Sequence, residues 1–97
     1  IDNTPPTVAI GAVRREGDRF IVRVEVRDAD SPLKRVEYSL DAQRWQAAFP
    51  VDGILDSRQE TFELRLSGNA AGQMLVVRAT DALNNVAAAE APLSGNR

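Results

Sequence analysis

Apolar and charged residues alternate along most of this 97-residue chain, and that period of two constrains its fold more than any other feature. An extended strand sends successive side chains to opposite faces, so alternation marks a ribbon with one dry and one wet side. A helix would instead need an apolar stripe recurring at three and four residues. The clearest run is Phe20-Ile21-Val22-Arg23-Val24-Glu25-Val26-Arg27-Asp28. It puts Phe20, Val22, Val24 and Val26 on one face and Arg23, Glu25 and Arg27 on the other. Residues 35–41 repeat the pattern with Val36, Tyr38 and Leu40 inward, and residues 61–66 do so with Phe62, Leu64 and Leu66 inward. Residues 73–81 are more apolar, and parity assigns Leu75, Val77 and Ala79 to the core.

Three weaker strands complete the set: residues 7–13 with Val8 and Ile10 inward, residues 45–49, and residues 85–91. The last is rich in alanine, a strong helix former. A strand is nevertheless expected there, because Asp81-Ala82-Leu83-Asn84-Asn85 suits a hairpin and the strand before it needs a neighbour. Turn signals at 15–18, 28–32, 41–44, 51–57 and 67–72 separate these segments. Seven short strands, each with one dry face, predict an all-β, seven-stranded antiparallel β-sandwich in which each sheet covers the other's apolar side. One domain is expected over residues 7–93, entered through an extended linker at 1–6 containing Pro5 and Pro6, and followed by a flexible C-terminus at 94–97.

Several residues and motifs resemble those of bacterial immunoglobulin-like or fibronectin type III-like modules. They are Asp2-Asn3-Thr4-Pro5-Pro6-Thr7-Val8 at the start and Val77-Arg78-Ala79-Thr80-Asp81 with Asn84-Asn85-Val86 near the end. The middle, Val36-Glu37-Tyr38-Ser39-Leu40-Asp41 with Trp45 and then Pro50-Val51-Asp52-Gly53-Ile54, looks like variants at the end of large exported bacterial proteins, often beyond a β-propeller. The resemblance implies a spacer or protein-interaction module, secreted or in the cell envelope, whose partners are neighbouring domains of the same polypeptide and other proteins or glycans. It implies no catalytic residue and no cofactor. The chain departs from antibody-type domains in lacking a cysteine pair, and from typical fibronectin modules in the stretch at 52–57.

Composition narrows the chemistry. There is no cysteine and no histidine, which excludes disulfides, zinc sites built on those ligands, and Cys–His or Ser–His catalysis. Ser31-Pro32-Leu33-Lys34 has Ser-x-x-Lys spacing, but that pairing needs a helix and Pro32 lies in a turn between strands. Asp30-Ser31 and Asp56-Ser57 are not followed by glycine, so the aspartic-protease loop is missing. A net charge of −2 leaves no overall basic signature for nucleic acid, and no apolar run is long enough to insert in a membrane. Calcium at Asp28, Asp30 and Asp81, with Asn84-Asn85 and Asp2-Asn3 nearby, is the alternative that would stiffen a joint between modules. The same residue types also cap turns. Trp45 and Phe49 are the candidate partner contacts, as a stacking platform for a sugar or as a protein contact. The competing reading makes Trp45 a plug at one end of the sandwich. Eleven arginines stand against one lysine, and Arg23, Arg27, Arg35, Arg65 and Arg78 share wet faces with Glu25, Glu37 and Glu63. Cross-strand ion pairs are expected among them.

Overall fold

The computed structural model describes residues 5–28, 31–41, 43–50 and 59–93. Seven strands are present: β1 (Thr7–Glu16), β2 (Arg19–Arg27), β3 (Leu33–Ser39), β4 (Gln46–Ala47), β5 (Gln59–Ser67), β6 (Met74–Asp81) and β7 (Val86–Pro92). They form two antiparallel sheets, β1-β2-β5 and β4-β3-β6-β7. A short 3-10 turn, Gly68–Ala70, follows β5, with the Ser67 hydroxyl accepting from the Asn69 amide at 3.2 Å. Among the described residues no helix is long and apolar enough to cross a membrane.

The inward parity read from the sequence holds. Phe20, Val22, Val24 and Val26 are fully buried, as are Phe62 and Leu75, and they join Val36, Leu64, Leu66, Val77 and Ala79 in one apolar cluster fed by both sheets. Tyr38 and Leu40 pack on its margin with Val8 and Ile10. The alanine-rich segment is strand β7, paired with β6 from Met74↔Pro92 to Thr80↔Val86. Seven ladder positions and the partial burial of Ala87, Ala89 and Ala91 outweigh intrinsic helix propensity, which differs between these residues by less than about 1 kcal/mol.

β1 and β5 (Gln59–Ser67) run beyond their expected ends, β3 is shifted to start two residues earlier and end at Ser39, and β4 is shorter. β1 runs to Glu16, because Gly17 and Asp18 alone make the turn and Gly17 takes a left-handed φ of 60° that glycine adopts without strain. β3 starts at Leu33, and β4 keeps only Gln46 and Ala47 of the expected five residues. The chain then crosses between the sheets. The Ala48 amide donates to the Val36 carbonyl at 2.8 Å, while Pro50 bridges Phe62 in the opposite sheet. Residues 1–4 of the linker expected at 1–6, the turn residues Ala29, Asp30 and Ala42, the stretch 51–58 and the end 94–97 lie outside the described residues.

Two β-bulges keep the dry faces dry. On β1, Ile10 pairs with Val24 and Val13 with Val22, so Gly11 and Ala12 together oppose Arg23. The extra residue restores inward parity to Val13, and it brings the backbone so close that a Cβ at Gly11 would sit 3.1 Å from the Arg23 carbonyl oxygen. On β3 the ladder shifts between Leu33 and Arg35, and Leu33 and Val36 are both buried.

The alternation makes a direct prediction for β2. Val24→Asp would place an unpaired carboxylate at a fully buried position and should abolish the cooperative unfolding transition, at a cost of several kcal/mol. Arg23→Asp, one residue away on the wet face, should change stability by less than about 1 kcal/mol. Urea denaturation followed by circular dichroism separates the two; equal damage would mean the facing of β2 is misread.

Candidate functional site

Strand parity sends three acids inward at one end of the core: Asp28, Asp81 and, on β5 in the series of Phe62 and Leu64, Glu60, which is 6% exposed and is the register partner of Val26. Asp28 continues the buried series of β2 and Asp81 that of β6, and they are 6% and 0% exposed. Asp81 closes the β6–β7 hairpin. One carboxylate oxygen accepts from the Leu83 and Asn85 amides, each at 2.9 Å, and the other from the Asn85 side chain at 3.0 Å. Asn84 takes the left-handed conformation that the turn requires, with φ 67°. Asp28 accepts from the Ser31 amide at 2.9 Å and its hydroxyl at 3.4 Å. Burial pushes the Asp81 carboxyl up, but the Asn85 side-chain and backbone hydrogen bonds, the Asp28 side chain and the Leu83 amide outweigh it and hold the group below its ordinary value.

This cluster brings Asp28 and Asp81 together, as the calcium alternative requires, but Asp28 Oδ1 and both Asp81 oxygens accept from groups of their own turns. Asp30 lies outside the described residues, and among those described no three acidic groups are placed to hold a metal ion. The Ser-x-x-Lys pair is pulled apart: Ser31 bonds Asp28, and the Lys34 ammonium donates to the Asn84 side-chain oxygen at 2.9 Å.

Trp45 and Phe49 do not act together. Trp45 precedes β4, is half-buried, and carries the Arg78 guanidinium 3.9 Å from its ring centroid. Glu37 fixes that guanidinium from the intervening strand, accepting from Arg78 Nη2 at 2.9 Å and Nε at 3.2 Å, with Arg35 at 3.7 Å from the same oxygen. Trp45 therefore offers no bare plate on the side Arg78 covers. Phe49, in the crossing between the sheets, is 72% exposed and is the open ring of the pair. The cross-strand pairing expected of the wet faces holds for Glu37 and Arg78, which are register partners. It fails for Arg23 and Glu63, also register partners, because Glu63 turns to Arg65 on its own strand at 3.2 Å.

Exposed apolar residues stand at one end, where local sequence gives little sign of them. Thr7 pairs with Arg27 and Leu33 with Asp81, so the start of β1, the ends of β2 and β6 and the start of β3 share that end. The β6–β7 hairpin belongs to it, with Leu83 54% and Val86 52% exposed. The only sequence signal was an apolar Leu83 at the centre of a polar turn.

Two measurements check this description. Because the Asp81 carboxyl titrates lower folded than unfolded, its stabilisation is complete above the unfolded value of 3.8 and is lost as pH falls through the folded one. The melting temperature should fall with decreasing pH below about 4, and Asp81→Asn should flatten that slope. A double-mutant cycle of Trp45→Leu with Arg78→Met should return a coupling of about 0.5–1 kcal/mol.

No protein-family model matches the chain, and no curated protein matches it. Among solved structures, the chain is similar to part of the sulfane dehydrogenase SoxCD from Paracoccus pantotrophus, with a TM-score of 0.68 and 20% sequence identity. The likeness covers 84% of this chain and 23% of that one, and it shows a shared fold.

Proposed function

We propose that this chain is a non-catalytic spacer and protein-interaction module of the immunoglobulin-like, fibronectin type III-like class, belonging to a larger exported bacterial polypeptide. The class assignment draws on the seven strands and their division. In the antibody constant arrangement the fourth strand joins the first, second and fifth. Here β4 pairs with β3, giving sheets of three and four strands. The likeness that occupies 23% of a longer chain supports a module that is one part of a larger whole.

The observation that carries the functional reading is the apolar hairpin tip. Leu83 and Val86 are exposed at the end of the two sheets where β1 begins after Pro5 and Pro6. A neighbouring domain joined there would cover both side chains, and the prolines would limit the angle of approach. Phe49 remains as a separate contact for another protein. The mechanism is geometric: a stiff two-sheet body holds its neighbours at a set distance.

Hydrogen exchange tests this by comparing the parent polypeptide with the isolated chain. Amides at 82–86 should be protected in the parent, and Leu83→Asp should remove that protection. Identical exchange in both contexts would refute the end-on contact. Turnover by the isolated chain, abolished by one substitution, would refute the non-catalytic reading.

A further inference from the structure

The outer face of β1-β2-β5 holds a buried apolar residue where alternation calls for a wet one. Ile21 lies between the inward Phe20 and Val22, outside the core cluster, yet is only 7% exposed. Its four neighbours on that face explain this. Arg19 and Arg23 stand two residues before and after it on β2, Arg14 is its partner on β1, and Arg65 its partner on β5. Arginine stems cover apolar surface while their charged heads stay in water. Two shallow depressions meet over Ile21, and both are lined by Arg14 and Glu63.

The charges around Ile21 are unequally matched. Arg14 pairs with Glu16 and Arg65 with Glu63, each at 3.2 Å and each exposed, where such pairs contribute little. Arg19 and Arg23 form no ion pair among the described residues. Two guanidinium forks therefore flank one aliphatic side chain along a single strand, within a chain whose overall charge is −2.

We propose that this face docks an extended acidic segment of a partner protein, with carboxylates at alternate outward positions on either side of an apolar residue. This deepens the interaction-module reading and rests on it. Side chains on one face of an extended segment recur every two residues, about 6.5–7 Å apart, which is the spacing of Arg19, Ile21 and Arg23. A facing segment can thus align acid, apolar and acid residues with them. Guanidinium matches carboxylate as a two-pronged donor. An acidic polysaccharide fits less well, because no aromatic residue of β1, β2 or β5 points outward: Phe20 and Phe62 point into the core, Trp45 leads into β4 of the other sheet, and the exposed Phe49 lies in the crossing between the sheets, on none of these three strands.

The test uses the 97-residue chain and a fluorescein-labelled peptide of Glu-x-Ile-x-Glu repeats, followed by anisotropy at low and physiological salt. The peptide should bind, and its Lys-x-Ile-x-Lys counterpart should not. Arg19→Glu with Arg23→Glu should weaken binding about tenfold or more, while the equally charged control Lys34→Glu with Arg44→Glu stays within about twofold. If the glutamate pair fails to fold, Arg19→Gln with Arg23→Gln should still weaken binding by several-fold. No binding by the unaltered chain, equal weakening by control and test pairs, or tighter binding of polygalacturonate than of the peptide would each overturn the proposal. Those failures, alongside hairpin protection in the parent polypeptide, would remove this face and leave the module reading intact.

Discussion

A single dry layer between the two inner faces carries the whole architecture. Among the described residues no helix covers either sheet, so each depends on the other to keep its apolar side from water. That dependence disciplines every strand. A slip of one residue would turn a row of valines outward and a row of arginines inward. The bulges at Gly11-Ala12 and near Lys34 are where the chain absorbs a residue to stay in phase.

The same discipline decides what the outer faces hold. On β4-β3-β6-β7 the charges close on themselves, with Glu37 gathering Arg35 and Arg78 while Arg78 lies over Trp45. On β1-β2-β5 they do not close. The bulge on β1 that saves Val13 for the core also turns Arg14 outward, opposite Ile21. A packing correction on one side of the strand thus shapes a chemical surface on the other. The face left with unmatched guanidinium groups is the one suited to an external anionic partner.

Legibility in the sequence followed the range of the interaction. The hairpin at 81–85 could be read, because Asp81 bonds amides two and four residues away. The strand character of β7 could be read from its need for a neighbour. Val13 carried a faint signal of the bulge, since it breaks the parity of Val8 and Ile10. Nothing local could reveal that Arg78 would cover Trp45 from a strand two places away, or that Glu63 would choose Arg65 over its register partner Arg23. Those choices depend on where side chains from distant segments meet.

Alternation in the chain settled the strand character of β2, β3, β5 and β6 and which of their expected side chains would face the interior, because side-chain direction in an extended backbone is a local property with a period of two. Leu33, Ala48 and Leu93 joined the core without such a signal. Which strands became neighbours was decided only on folding: that β4 pairs with β3, that four arginines encircle Ile21, and that Leu83 and Val86 emerge at the same end as the start of β1. Pairing joins residues far apart along the chain, and its outcome rests on the closure of the shared core, which no short segment encodes alone.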